Sequence, residues 1–201
     1  MPKPYVPNDK WSRQAAEEGF RARSVYKLNE LDLRYRIFSP GMKVLDIGAA
    51  PGSWLQYAAE AVGTAGKVLG IDLKTIEPIA ANVTTFVCDI NDMKNVKNAI
   101  ASNGFTKFDV VLSDIAPNTS GIKDVDQWRS LELSRRVTDI AAGHLRPGGT
   151  VVMKVFRGRD FDAFTGAMKQ KFRVLKVASV KASRDRSREV YLVCRGFNRK
   201  T

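Results

Sequence analysis

Residues 44–54 read Val44-Leu45-Asp46-Ile47-Gly48-Ala49-Ala50-Pro51-Gly52-Ser53-Trp54, and the architecture of the whole chain follows from them. A short apolar run leads into small, turn-permissive residues, and a helical pattern starts at Trp54. Open α/β sheets form a nucleotide-type pocket from an apolar strand, a Gly-rich turn and a helix in this order. Glycine lets the backbone approach a ligand closely, and the next helix presents free N–H groups. The stretch therefore predicts a ligand site at the end of the first strand.

Strands and helices alternate after this turn. Strands are predicted at 67–72, 83–87, 108–114 and 150–156, with helices at 53–62, 95–102, 126–144 and 160–171. Such alternation is typical of a parallel sheet with helices on both faces. Two final strands, at 172–181 and 189–195, have no helix between them, which predicts an antiparallel hairpin at one end of the sheet.

A single domain is predicted for residues 1–201, which suffice to bury a sizeable core. Residues 1–36 form an arm and helices before the first strand, where Ser24 is expected to cap a helix, as is Asp160 later in the chain.

No apolar stretch is long enough to span a membrane, and no secretory signal is visible. Cys88 and Cys194 give neither a disulfide framework nor a metal spacing. These observations favour a cytoplasmic protein with no membrane and no metal site.

Positive charge is concentrated at the carboxyl-terminal end of the sequence. The net charge is +12, from 33 basic and 21 acidic side chains. Residues 154–201 carry 14 basic and 4 acidic side chains, whereas residues 37–153 are nearly balanced. An excess of positive charge confined to one region indicates a face that binds a polyanion, and nucleic acid is the expected partner.

Carboxylates stand at or near the ends of the first four predicted strands, as Asp46, Asp72, Asp89 and Asp114. Ligands of open α/β sheets bind beyond these strand ends, and Asp72 has the spacing of a carboxylate that binds ribose hydroxyls. Pro51 removes an N–H donor from the turn, and a pyrophosphate would need such donors. An acidic pocket without a phosphate cradle therefore fits the sulfonium cation of S-adenosylmethionine better than it fits NAD.

Lys154 lies inside the apolar strand predicted at 150–156. A buried lysine is costly when it is charged and unpaired, which indicates a functional role. The alternative is a lysine whose stem is buried and whose amino group reaches solvent. The fourth and fifth strands are neighbours in this kind of sheet, which places Asp114 beside Lys154. If the last strand is inserted antiparallel next to the fifth, Glu189 begins at the same edge, and the three side chains converge.

The sequence resembles the FtsJ/RrmJ family of RNA ribose 2′-O-methyltransferases over about residues 20–197. The matching segments are Ser24-Val25-Tyr26-Lys27-Leu28, the turn at 46–54, Ser113-Asp114-Ile115-Ala116-Pro117-Asn118-Thr119-Ser120-Gly121, Lys154-Val155-Phe156 and Ser187-Arg188-Glu189-Val190-Tyr191. They occur in the order of the family. The resemblance implies a Rossmann-like class I methyltransferase with a seven-stranded, mostly parallel sheet, one antiparallel strand and helices on both faces.

The resemblance also implies the site residues. The catalytic tetrad would be Lys27, Asp114, Lys154 and Glu189. The expected contacts of S-adenosylmethionine are Asp46, Gly48, Pro51, Gly52, Trp54, Asp72, Asp89 and Asp114. Ser53 departs from the family, which usually has a second glycine there. Lys154 could take the proton of a ribose hydroxyl as a neutral amine, or stabilise the developing alkoxide as an ammonium, and the sequence leaves both roles open.

Arginines flank the tetrad in the sequence and predict the surface that binds RNA. They are Arg21, Arg23, Arg157, Arg184, Arg186 and Arg188. The implied substrate is a uridine of large-subunit ribosomal RNA within a ribosomal particle, and the enzyme is expected to be a monomer. A tRNA anticodon loop is the alternative substrate within the family. A non-catalytic RNA-binding protein and an NAD-dependent oxidoreductase are the alternatives from other classes, and the tetrad disfavours both.

Overall fold

The computed structural model describes residues 10–183 and 188–198. Within these residues it contains six helices and seven strands. The helices are α1 (Lys10–Glu17), α2 (Val25–Tyr35), α3 (Ser53–Val62), α4 (Met93–Ser102), α5 (Lys123–His144) and α6 (Phe161–Lys171). The strands are β1 (Lys43–Ile47), β2 (Lys67–Asp72), β3 (Val83–Val87), β4 (Phe108–Ser113), β5 (Leu145–Phe156), β6 (Phe172–Ala178) and β7 (Glu189–Phe197).

All seven strands form one sheet in the order β3-β2-β1-β4-β5-β7-β6. Strands β1 to β5 pair in parallel, and β7 runs antiparallel to both of its neighbours, β5 and β6. The prediction of a mostly parallel sheet with one antiparallel strand is therefore confirmed. The terminal hairpin is also present, but β7 lies inside the sheet and β6 forms its edge.

Helices cover both faces of the sheet because successive residues of a buried strand point to opposite sides. On one face, Leu45 and Ile47 join a core with side chains from α4, α5 and α6. On the other face, Val44 packs with Leu28 of α2 and Leu55 of α3. This second face matters for the site, because it holds the amino-terminal segment against the Gly-rich turn.

Two capping predictions are wrong, for the same physical reason. Neither Ser24 nor Asp160 makes a side-chain hydrogen bond to the first turn of its helix. A capping side chain needs an extended backbone at its own residue, whereas Ser24 has helical angles (φ −61°, ψ −17°) and Asp160 has φ −95° and ψ 6°. The Ser24 hydroxyl instead lies 2.9 Å from the hydroxyl of Ser53 and so joins α2 to α3.

Both cysteines, Cys88 and Cys194, are buried and free, as expected of small apolar core residues. None of the helices in the described residues combines the length and the apolar composition that crossing a membrane requires.

Candidate active site

The strand register brings Asp114, Lys154 and Glu189 together at the end of the sheet where β4 and β5 stop and β7 begins, which we call the active edge. Ser113 of β4 pairs with Met153 of β5, so the next residues, Asp114 and Lys154, are neighbours. At the end of β5, Phe156 pairs with Glu189, the first residue of β7. The predicted convergence of these side chains is therefore confirmed by the geometry, and it depends on the insertion of β7 beside β5.

Two buried ion pairs make up the tetrad. The Lys154 Nζ lies 3.0 Å from the Asp114 Oδ1 and also donates to the Asp114 carbonyl oxygen. The Lys27 Nζ, from the first turn of α2, lies 2.6 Å from the Glu189 Oε1. Lys27 and Lys154 are only 8% and 7% exposed, so little water screens either pair. Each ammonium is held at a fixed position by its carboxylate.

Tyr191 connects the two ion pairs, a role that the sequence did not reveal. Its hydroxyl donates to the Asp114 Oδ1 at 2.6 Å, and the Lys27 Nζ lies 5.7 Å from its ring centroid. Its burial, followed by the charges of Asp114 and Glu189, raises the pKa of Tyr191 well above its usual value. A signal was present in the sequence: Tyr191 follows Glu189 by two residues in a strand and shares its face, and a buried tyrosine hydroxyl requires a partner.

Glu189 remains ionised in this cluster. Burial alone would raise the pKa of its carboxyl group. The opposing effects are stronger: the charge and hydrogen bond of Lys27, the hydroxyl of Ser183 and the charge of Lys154 together lower the Glu189 pKa below its ordinary value. The active edge therefore carries two carboxylates and two lysines in a compact, charge-balanced group.

The Gly-rich turn lies beside this group and is tightly packed. Gly48 has φ +76°, and a Cβ at this position would lie 2.8 Å from the Ile115 Cβ, so a side chain cannot fit. The Asp72 carboxylate fixes the turn by accepting a hydrogen bond from the Ala50 N–H at 2.9 Å. The predicted ligand residue Trp54 is buried, and its indole N–H donates to the Ser24 carbonyl oxygen at 2.8 Å.

The cleft at the turn is acidic. It is lined by Ser24, Asp46, Gly48, Ala49, Ala50, Ser53, Trp54 and Asp114. Asp46 is 1% exposed, and its Oδ2 has no hydrogen-bond partner within the described residues. Burial, followed by the charges of Asp114 and Asp72, raises the pKa of Asp46 well above its usual value. An unpartnered carboxylate oxygen among other carboxylates suits a cationic ligand, so the donor set fits the sulfonium and ammonium groups of S-adenosylmethionine.

Asp89 stands apart from this acidic group. It follows β3, is exposed, and accepts hydrogen bonds from the backbone and side-chain amides of Asn91. Its contact with a cofactor, like that of all the other residues predicted to bind one, stays a prediction.

Arg21 is predicted to face RNA, but in the structure its side chain contacts other parts of the protein. Its guanidinium donates to the carbonyl oxygens of Pro51 at 3.2 Å, Glu77 at 2.9 Å and Pro78 at 2.8 Å. These bonds join the Gly-rich turn to the loop after β2. A contact between Arg21 and RNA stays a prediction, but the structure already gives the guanidinium a place in the scaffold of the cleft.

The other predicted RNA-binding residues are distributed unevenly. Arg157 and Arg188 are exposed and adjacent at the ends of β5 and β7, where the Arg157 N–H donates to the Arg188 carbonyl oxygen at 3.0 Å. Arg23 is partly buried before α2. Arg184 and Arg186 lie outside the described residues.

A second, larger groove lies away from this site. It has a volume of about 820 Å³, runs along α3 and contains none of the predicted site residues. Across residues 10–183 and 188–198, no group of three His, Cys, Asp or Glu side chains could hold a metal ion. We therefore assign the chemistry to the smaller acidic cleft, where the buried charges converge.

A family model described as FtsJ-like methyltransferase matches residues 20–197. The chain belongs to the FtsJ-like methyltransferase family. This result confirms the resemblance carried by the five sequence segments, and with it the prediction that the protein is a methyltransferase.

Similar proteins agree with this membership. The FtsJ-like chain is 43% identical over 190 residues to the ribosomal RNA large subunit methyltransferase E of Syntrophobacter fumaroxidans, covering 94% of this chain and 95% of that protein. It is 45% identical over 195 residues to the protein of the same name in Myxococcus xanthus, covering 96% and 91% of the two chains. A crystal structure of a ribosomal RNA methyltransferase from Plasmodium falciparum superimposes with a TM-score of 0.78 at 30% identity, covering 89% of this chain and 98% of that chain.

Proposed function

We propose that this FtsJ-like methyltransferase transfers a methyl group from S-adenosylmethionine to a ribose 2′-hydroxyl of RNA, with a uridine of large-subunit ribosomal RNA as the preferred substrate. The observation that carries the proposal is the pair of buried ion pairs, Lys154–Asp114 and Lys27–Glu189, beside an acidic cleft. The names of the bacterial relatives support RNA of the large ribosomal subunit as the substrate.

Asp46, Asp114 and the turn at 48–52 would hold the cofactor, whose sulfonium supplies an electrophilic methyl group. The unpartnered Oδ2 of Asp46 and the carboxylate of Asp114 provide negative charge for its cationic groups. Asp72 would bind its ribose while it continues to hold the Ala50 N–H. Gly48 and Gly52 supply the positive φ angles, +76° and +109°, that the tight turn at the cleft requires.

Lys154 would act on the ribose hydroxyl. Its Nζ donates to the carboxylate and to the carbonyl oxygen of Asp114, which leaves an N–H donor for the substrate oxygen. As an ammonium, Lys154 would stabilise the developing alkoxide through this donor, and the hydroxyl proton would pass to solvent water. As a neutral amine, the same nitrogen would instead accept that proton. Tyr191 fixes Asp114 from the other side, so the ammonium is positioned before the substrate arrives.

Arg157 and Arg188 would contact RNA phosphates at the active edge, because both are exposed and lie where β5 and β7 meet. Arg23, Arg184 and Arg186 are proposed for the same surface from their positions in the sequence. Phosphate contacts of this kind orient the strand without reading its bases.

The substitution Lys154→Ala tests the proposed mechanism. The kcat is expected to fall by about 100-fold or more, because the variant has no donor for the developing oxyanion. The affinity for S-adenosylmethionine, measured by isothermal titration calorimetry, should not change. Lys169→Ala on the exposed side of α6 is the control for removal of a lysine charge. Full activity of the Lys154→Ala variant would contradict the mechanism.

The substrate is tested with labelled S-adenosylmethionine on total RNA, on purified ribosomal RNA and on large-subunit particles. The labelled position is then mapped by its resistance to alkaline cleavage, which a 2′-O-methyl group confers. A labelled uridine in large-subunit RNA is the expected result. Label in a tRNA anticodon loop would support the alternative substrate, and RNA binding without turnover would support a non-catalytic RNA-binding protein.

A further inference from the structure

Trp128 exposes a large apolar surface near the start of α5. The side chain is 56% exposed, although tryptophan is usually buried or in contact with a partner. It lines a surface groove of about 410 Å³, which we call the α5 groove. The groove is lined by Asn91, Pro117, Asn118, Trp128, Arg129, Glu132, Leu133 and Arg136. None of these residues lines the acidic cleft, so the groove is a separate feature.

The α5 groove is close to the active centre. Its wall residue Asn118 is only four positions beyond Asp114, so their Cα atoms are at most about 14 Å apart. The chain just beyond Asn118 is anchored to α5 by Asp126, whose carboxylate accepts hydrogen bonds from the Ser120 N–H at 2.6 Å and from the Gly121 N–H at 3.1 Å. A strand of a few nucleotides that enters the active centre can therefore also reach the groove.

The residues that line the α5 groove include two arginines and one glutamate, although Asp124 and Asp126 precede Trp128 in the first turn of α5. Arg129 uses part of its guanidinium to donate to the Asn118 carbonyl oxygen at 3.2 Å, which holds the side chain in place and leaves further N–H donors. Arg136 is exposed and forms no salt bridge within the described part of the chain. Glu132 is neutralised by Arg135. The groove thus combines an exposed indole with two available arginines.

We propose that the α5 groove binds an unpaired nucleotide of the RNA substrate that flanks the methylated nucleotide. The base stacks on the indole of Trp128, and Arg129 and Arg136 contact the adjoining phosphates. Stacking on an aromatic side chain accepts any base, so this contact positions the strand without reading its sequence. The inference rests on the proposed RNA substrate and adds a second contact region, on the α5 side of the active edge.

The substitution Trp128→Ala tests the stacking contact. The KM for RNA is expected to rise by about 5- to 100-fold, the range that removal of one base–aromatic stacking interaction produces. The kcat at saturating RNA and the affinity for S-adenosylmethionine should stay unchanged. Trp128→Phe keeps an aromatic face and should restore most of the affinity for RNA. Ile122→Ala is the matched control, because Ile122 is 62% exposed beside the groove but does not line it.

The substitution Arg136→Gln tests the phosphate contact. It should reduce the slope of log affinity for RNA against log salt by about one. Arg173→Gln removes the same charge from β6 at the opposite edge of the sheet and should leave the slope unchanged.

Three results would overturn the inference. If the wild-type enzyme methylates RNA and Trp128→Ala leaves the KM for RNA unchanged, the RNA contact proposed for the groove is refuted. The proposed function is then unaffected. A loss of S-adenosylmethionine affinity would assign the groove to the cofactor. An effect seen on ribosomal particles but not on protein-free RNA would assign it to a protein partner. Absence of RNA methylation by the wild-type enzyme would instead refute the proposed function.

Discussion

Asp46 carries an electrostatic penalty that a cationic ligand would relieve. Its carboxyl group is buried, one oxygen lacks a partner within the described residues, and the charges of Asp114 and Asp72 add to the effect of burial in raising its pKa. Because this folded-state pKa lies above the unfolded value, the folded protein binds more protons. The contribution of Asp46 to the stability of the ligand-free protein therefore falls as the pH rises from its unfolded pKa towards its folded pKa.

The substitution Asp46→Asn should make the ligand-free protein more stable at neutral pH, by about 1–3 kcal/mol, because it removes a buried charge without a partner. Urea unfolding at several values between about pH 4 and about pH 8 should show that the free energy of unfolding gained by the substitution grows as the pH rises. Binding of S-adenosylmethionine should weaken in the same variant. Asp139→Asn, on the exposed side of α5, is the control. A less stable Asp46→Asn protein with unchanged ligand affinity would contradict this account.

The segment from Arg21 to α2 links the cofactor turn with the tetrad. Arg21 holds the turn through the Pro51 carbonyl oxygen, and the Ser24 carbonyl oxygen accepts the indole N–H of Trp54. The same segment continues into α2, which presents Lys27 to Glu189. One short stretch of chain therefore sets the position of the cleft and that of a tetrad lysine.

The substitution Arg21→Ala should weaken S-adenosylmethionine binding by about 10-fold or more, because it removes charged hydrogen bonds to three carbonyl oxygens. Calorimetry measures this change, and Arg21→Lys should recover only part of the affinity because it lacks the planar fork of arginine. RNA affinity at saturating cofactor should not change. The reverse pattern, with weakened RNA binding and intact cofactor binding, would support the RNA contact predicted from the sequence. Arg13→Ala, exposed on α1, serves as the charge control.

Only some of these contacts could be predicted from the sequence. The sequence predicts that Glu189 converges with Asp114 and Lys154 only on the condition that the last strand is inserted antiparallel beside the fifth, and the pairing of β5 with β7 meets this condition. The contacts of Arg21 could not be predicted, because its partners are backbone carbonyl oxygens, which no residue pattern identifies. The capping prediction for Ser24 is wrong because this residue has helical backbone angles and its hydroxyl contacts Ser53 of α3, whereas the prediction rests on the capping preference of serine alone.

Across the whole molecule, negative and positive charges are concentrated in different regions. The cleft gathers carboxylates near the middle of the sheet, whereas the carboxyl-terminal region from residue 154 onwards carries most of the excess positive charge. Arg157 and Arg188 bring part of this charge to the active edge, next to the tetrad. The proposed cationic cofactor and polyanionic substrate would thus be attracted to adjacent parts of one edge by charges of opposite sign.

Affinity for RNA should therefore depend steeply on salt, because phosphate contacts release counterions. Affinity for S-adenosylmethionine should change far less, because Asp46 of the cleft is buried and less screened. Filter binding over a range of salt concentrations measures the first dependence, and calorimetry the second. The double substitution Arg157→Gln and Arg188→Gln should lower the slope for RNA by about two, because each arginine is expected to neutralise one phosphate. The paired substitution Lys169→Gln and Arg173→Gln, in α6 and β6, removes the same charge from other surfaces. A slope that falls equally in both double variants would show that net charge, and not a defined face, attracts the RNA.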